Sequence, residues 1–137
     1  MKSTILYQTV DDKRNTKYVL ENAPFKCTRH DAWLGEGYYF WDTFIDLAHW
    51  WGKKSYGDKY MICKTTCQYN EDDILDLVGN TEQLDEVRKY TILLQERKGC
   101  RLKVNAVLKF MKSRPSFKYK AIRANAINSY NNRDTRI

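Results

Sequence analysis

The chain has 137 residues, of which 42% are hydrophobic and 30% charged, and its formal net charge is +7. This composition is typical of a globular protein, and no apolar run approaches the roughly 20 residues that a membrane-spanning helix needs. The N-terminal residues lack the apolar region of a secretory signal, so we expect a cytoplasmic protein with no membrane partner.

The hydrophobic pattern predicts one domain over residues 1–127, followed by a polar tail over 128–137 that we expect to fray. The predicted elements, in chain order, are a strand over 3–10, a polar helix over 11–22 ended by Pro24, an extended segment over 25–27, a strand over 38–41, a helix over 42–53, a strand over 59–68, an acidic helix over 71–78, helices over 81–97 and from Val104 to before Pro115, and a strand over 117–127.

Two of the predicted helices carry specific signals. In the helix over 42–53, an apolar stripe at helical spacing is expected to face a core; it consists of Phe44, Leu47, Ala48 and Trp51. The helix over 81–97 begins after Asn80 with a sequence that resembles a capping box, and Gly99 supplies its end.

The segment from Leu34 to Trp51 is the most informative part of the chain. Gly35 and Gly37 lack a Cβ, so the backbone there can turn sharply and approach a ligand closely. They lead into four aromatic residues, and alternate residues of a strand face opposite sides, so Tyr39 is a candidate pocket wall for a planar heteroaromatic ligand. The alternative is a core strand that enters a core helix.

Residues 35–40 form the pattern Gly-x-Gly-x-Tyr-Phe. Ala48 follows nine residues after Tyr39, and Trp50 lies two residues further on. This pattern resembles the second motif of the ADP-ribosyltransferases, in the branch that contains the poly(ADP-ribose) polymerases. The resemblance implies an α+β fold with an ADP-ribosyltransferase-like sheet core flanked by helices. It also implies that NAD is bound as substrate and that ADP-ribose is transferred to a macromolecular acceptor, either protein or nucleic acid. In that family the tyrosine, here Tyr39, stacks on nicotinamide.

The first motif of that family typically reads His-Gly-Ser or His-Gly-Thr on the first strand. The corresponding strand here contains Tyr7, Gln8 and Thr9, and either Tyr7 or Gln8 falls at the histidine position, depending on the alignment. The resemblance implies that these three residues hold the ribose and amide of NAD, while the backbone of Gly37 and Tyr38 closes the site. An ordinary strand without a ligand is the alternative.

The third motif places an acid or glutamine on a late strand, where it stabilises positive charge as nicotinamide leaves. The predicted strand over 117–127 contains no acid, and the next acid after Glu96 is Asp134. The catalytic residue is therefore unknown: it is absent, displaced, or lost with a missing C-terminal segment, and we expect weak or no transfer. Two further classes remain open: a non-catalytic binding module of the same fold, and a basic nucleic-acid-binding domain with exposed tyrosines as stacking platforms.

The remaining candidate residues favour neither a metal site nor a disulfide framework. Cys63 and Cys67 share a predicted strand face about 13 Å apart, at roughly 3.3 Å per residue, which is too far for one zinc ion. We expect reduced thiols there. His30, just before the glycine turn, is a candidate for contact with the cofactor. Most of the excess positive charge follows residue 96 and favours an anionic partner.

Overall fold

The computed structural model describes residues 1–125, which divide into two compact units. The first unit contains residues 1–27 and 37–69, and the second contains residues 28–36 and 70–125. Helices and strands are mixed, which is compatible with the predicted α+β class. Among the described helices, none has the length and apolar character needed to cross a membrane. The predicted tail over 128–137 lies outside the described residues.

The first unit is built on a three-stranded antiparallel sheet. Its elements are β1 (Lys2–Asp11), α1 (Thr16–Asn22), β2 (Lys26–Cys27), β3 (Gly37–Tyr38), β4 (Trp41–Asp42), α2 (Ile45–Tyr56) and β5 (Tyr60–Tyr69). The strand order is β4-β1-β5, so β1 is the central strand, and β2 pairs with β3 in a separate two-stranded sheet. The β1–β5 ladder runs from the pair Lys2–Tyr69 to the pair Asp11–Tyr60.

Helix α2 packs against the three-stranded sheet through small residues. Ala48 is fully buried and Gly52 is buried one turn later. A Cβ added to Gly52 would lie 2.5 Å from ring atoms of Tyr60, so the helix backbone is as close to β5 as a glycine allows.

The predicted apolar stripe on this helix is therefore wrong for three of its four residues. Only Ala48 is buried, whereas Phe44 is 60% exposed and Leu47 and Trp51 are each 37% exposed. The close approach at Ala48 and Gly52 places the larger side chains at the flanks of the contact, where solvent reaches them.

The second unit surrounds an apolar core. Its elements are a 3₁₀ turn (Glu71–Asp73), β6 (Ile74–Asp76), α3 (Thr81–Lys98), α4 (Val104–Lys112) and β7 (Ala121–Arg123). Strands β6 and β7 are parallel. The core consists of Leu75, Leu77, Val87, Leu94, Val104, Val107, Leu108 and Met111. Partly buried Trp33 and Leu34 pack against it, which explains why the 28–36 segment belongs to this unit.

The ends of α3 follow the predicted signals. The Asn80 side chain accepts a hydrogen bond from the backbone N–H of Gln83 at 3.1 Å. Gly99 ends the helix in the left-handed region with φ +67°. The second half of the predicted capping box is replaced, because the Gln83 side chain accepts from the backbone N–H of Asp76 at 2.7 Å.

Several predicted elements differ from the structure. The acidic helix over 71–78 is wrong: after the 3₁₀ turn the chain forms β6, because alternate residues Leu75 and Leu77 are buried, which is the period of a strand. The helix over 11–22 begins only at Thr16, since β1 continues to Asp11. The single strand over 38–41 is divided between β3 and β4, in different sheets.

Candidate functional site

The residues of the two motifs that the structure brings together lie around the centre of β1, within the first unit. Consecutive residues of a strand face opposite sides of a sheet, so Gln8 and Thr9 point in opposite directions. Thr9 faces α2, where its Oγ1 donates a hydrogen bond to the backbone oxygen of Ala48 at 2.8 Å. Gln8 faces the segments around Phe25 and Tyr39.

The Gln8 amide is engaged with backbone on both its atoms. Nε2 donates to the carbonyl oxygens of Phe25, at 2.9 Å, and of Tyr39, at 3.3 Å. Oε1 accepts from the backbone N–H of Phe25 at 2.7 Å. With the side chain only 8% exposed, Gln8 serves in this structure as a clamp that holds two loop segments to the central strand. Phe25 carried no sequence signal for this role, because only its backbone takes part.

Tyr7 is buried at 7% exposure and is paired with Trp41 in the β1–β4 ladder. Its ring belongs to the interior of the first unit. The Thr9 hydroxyl donates a hydrogen bond to the backbone oxygen of Ala48, but its own oxygen keeps lone pairs that are able to accept a hydrogen bond. Of the three first-motif candidates, Thr9 thus retains hydrogen-bonding capacity, whereas the Gln8 amide is largely used.

The second-motif residues differ in accessibility. A Cβ added to Gly37 would meet no atom within 4 Å, so there is room for a ligand beside this backbone. Tyr38 is 55% exposed, and Tyr39 is half-buried next to the clamp made by Gln8. Phe40 is half-buried as well. This arrangement leaves two adjacent tyrosines at the boundary between the interior and solvent.

An aromatic cluster flanks this region and was not predicted as a cluster. The rings of Trp41 and Trp50 meet edge to face, with centroids 6.4 Å apart and an interplanar angle of 88°. The Trp51 centroid lies 6.3 Å from that of Trp50, and the Lys54 ammonium lies 4.9 Å from the Trp50 ring centroid. The sequence signal for the cluster was the density of aromatic residues, but that density does not specify which rings meet.

The two histidines have different surroundings. His49, on α2, places Nδ1 2.8 Å from the Tyr60 hydroxyl, so it has a protein partner. His30 is exposed in the second unit. Beside it, a hydrogen bond from the Arg29 guanidinium lowers the pKa of the Asp31 carboxyl below its usual range.

The late strand on which the third motif was expected corresponds to β7, in the second unit. It is shorter than predicted, and its described residues include no acid. Asp73 and Asp76 are carboxylates that pair with this part of the chain: Asp73 binds Lys120 at 3.1 Å and Asp76 binds Arg123 at 3.4 Å. Both lie just before or within β6. The rest of the predicted strand, residues 126 and 127, lies outside the described residues.

The four cysteines are free thiols, and burial raises the pKa of Cys63. Within residues 1–125, no group of three or more His, Cys, Asp or Glu side chains is arranged to hold a metal ion.

Comparison with known proteins gives no relative: the chain matches no family model, no curated protein and no solved structure.

Proposed function

We propose that this chain is an NAD-binding domain with an ADP-ribosyltransferase-like core, and that it has weak or no ADP-ribosyl transfer. One observation carries the proposal. The strand that would supply the first motif is hydrogen-bonded to both parts of the second motif, through Gln8 to the Tyr39 carbonyl and through Thr9 to the Ala48 carbonyl. Tyr39 is thus held on the Gln8 face of β1 and Ala48 on the opposite face, within one compact unit.

Some of the groups around Tyr39 and Gly37 suit the chemistry of NAD. The half-buried Tyr39 ring would stack on nicotinamide, and the open side of Gly37 would admit the ligand next to the backbone of Tyr38. Thr9 lies on the opposite face of β1, so it would hold α2 in place and would not contact NAD bound at Tyr39. Gln8 would act as a positioning residue that fixes Tyr39, because its amide already binds backbone groups. Tyr7 is buried, so it would contribute to the interior of the first unit and not to the contact with NAD.

When bound, NAD supplies the ADP-ribosyl group, and transfer breaks its bond to nicotinamide while a nucleophile of a macromolecular acceptor forms the new bond. A fixed carboxylate favours this step by stabilising the positive charge that develops on the ribose. The described part of the late strand has none. Losing one well-placed electrostatic stabiliser commonly costs about 10²–10³ in rate, so slow turnover is the expected consequence.

The test measures binding and turnover on the same folded sample of the full chain. Isothermal titration calorimetry with NAD should show binding, and chromatography of the incubated sample should show little or no release of nicotinamide. Rapid release would mean that another residue replaces the missing acid, and the expectation of weak activity would be wrong. Binding without any release would favour a non-catalytic module of the same fold. A folded chain that neither binds nor cleaves NAD would refute the proposal.

A further inference from the structure

The second unit carries a run of positive charge without any carboxylate in the same stretch of chain. Residues 97–123, here called the basic segment, contain ten Lys and Arg residues and no Asp or Glu. All ten side chains are exposed. They are Arg97, Lys98, Arg101, Lys103, Lys109, Lys112, Arg114, Lys118, Lys120 and Arg123.

The fold keeps these charges at the surface because α4 buries its apolar side. Val104, Val107, Leu108 and Met111 of α4 all lie in the core of the second unit. The lysines of this helix therefore lie on its solvent side. Two more cations end α3, and others occupy the connection between the helices and the chain after α4. The nine residues of α4 span about 13 Å, a length over which duplex DNA carries roughly eight phosphate charges.

Some cations of the basic segment contact other groups of the second unit. Lys120 pairs with Asp73 and Arg123 pairs with Asp76. Arg114 lies over the Phe110 ring, 5.7 Å from its centroid, which leaves the cation at the surface. Lys112 has its Nζ 3.4 Å from a backbone carbonyl oxygen, a contact that orients the side chain and leaves its charge in place.

We propose that the second unit binds the phosphate backbone of double-stranded nucleic acid through the basic segment, without reading base sequence. Exposed Lys and Arg side chains that follow one another along the chain, with no acid in the same stretch, are typical of phosphate binding. Binding to single strands would use exposed aromatic rings as stacking platforms. The five described aromatic residues of the second unit all pack against its core instead, namely Trp33, Tyr90, Phe110, Phe117 and Tyr119. This inference does not depend on NAD binding by the first unit.

The experiment uses the full chain and a fluorescein-labelled DNA duplex of mixed sequence, with fluorescence anisotropy as the readout. The triple variant Lys98→Gln, Lys103→Gln and Lys109→Gln removes three exposed charges from the basic segment. We expect its affinity for the duplex to fall about tenfold or more, and the slope of log K against log salt to become shallower by roughly 2–3. A second duplex of unrelated sequence should bind with the same affinity.

The matched control removes three exposed charges from the first unit by Lys13→Gln, Lys17→Gln and Lys53→Gln. It changes the net charge equally, so it should retain most of the affinity and the salt slope. Thermal melts establish that each variant is folded. Equal losses in both triple variants would overturn the proposal, as would a folded chain that does not bind the duplex at low salt. Tighter binding of the single strand, or equally effective competition by polyglutamate, would also overturn it.

Discussion

The hydroxyl of Thr9 donates a hydrogen bond to the backbone oxygen of Ala48, at 2.8 Å, and so joins the central strand of the first unit to its packed helix. The contact falls where α2 is most deeply buried, since Ala48 has no exposed surface. The contact leaves room for no side chain larger than the methyl group of Ala48. The size of the residue at position 48 is therefore expected to control how closely α2 approaches the sheet.

Ala48→Leu should destabilise the protein by roughly 1–3 kcal/mol, because the added methylenes overpack the contact between α2 and the sheet. The measurement is the free energy of unfolding from urea titration. Ala106→Leu is the matched control, since Ala106 is an exposed residue on α4 and the same substitution meets solvent there. If both variants unfold at the wild-type midpoint, α2 does not pack on Ala48 as described.

Gln8→Leu should destabilise the first unit by about 1–3 kcal/mol for each buried backbone group that is left without a partner. Leucine is apolar and similar in length to glutamine, but it lacks the donor to the carbonyl oxygens of Phe25 and Tyr39 and the acceptor for the Phe25 N–H. Urea unfolding measures the loss. Gln68→Leu, at an exposed position on β5, provides the control and should change the stability little. Similar effects at both positions would show that the clamp contributes nothing specific.

Asp76 should make the stability of the second unit sensitive to acid. Partial burial opposes its ionisation, but hydrogen bonds from the Gly79 and Val78 N–H groups and the charge of Arg123 outweigh burial and lower the pKa of Asp76. Because the folded-state pKa is the lower one, the stabilisation is complete above the unfolded value of about 3.9 and is lost as the pH falls through the folded value.

The test for Asp76 compares the melting temperatures of wild type and Asp76→Asn as the pH is lowered. The asparagine oxygen still accepts from Val78 and Gly79, but the variant cannot lose a charge. We expect the variant to be less stable near neutral pH and the difference to shrink in acid. Asp58→Asn, at an exposed loop position, is the control. A difference that stays constant with pH would contradict the role of the carboxylate.

Local signals in the sequence were sufficient for two kinds of element. One is a helix whose ends are marked by caps, and the other is a pair of strands that pair along their whole length. The α3 helix has the predicted bounds within one residue, because Asn80 and Gly99 act on neighbouring backbone groups. Strands β1 and β5 were likewise predicted, because they carry many β-branched and aromatic residues and form one long ladder.

The division of the 38–41 segment could not be predicted, because it depends on contacts with residues distant in sequence. Gly37 and Tyr38 pair with β2, whereas Trp41 pairs with Tyr7 of β1. Between them, the Tyr39 carbonyl is held by Gln8, 31 residues earlier in the chain. No local propensity encodes such a contact. For the same reason, the sequence suggested Gln8 as a ribose ligand but did not predict its hydrogen bonds to the backbone of Phe25 and Tyr39.

Tyr39 provides the most direct test of the proposed nicotinamide site. If its ring stacks on nicotinamide, Tyr39→Ala should weaken NAD binding by about 1–3 kcal/mol, which is the usual contribution of an aromatic ring stacked on a base. Tyr39→Phe keeps the ring and should retain most of the affinity. Calorimetric titration with NAD measures both effects, and urea unfolding of each variant establishes that the first unit remains folded.

The adjacent tyrosine supplies the matched control, because only the backbone of Tyr38 is proposed to contact NAD. Its side chain is 55% exposed, so Tyr38→Ala should fold normally and bind NAD with nearly the wild-type affinity. If the Tyr39 ring forms the wall of the site, Tyr38→Ala and Tyr39→Phe should both bind NAD more tightly than Tyr39→Ala. If Tyr38→Ala instead loses the affinity and Tyr39→Ala keeps it, the exposed tyrosine binds the ligand and the assignment of Tyr39 is wrong.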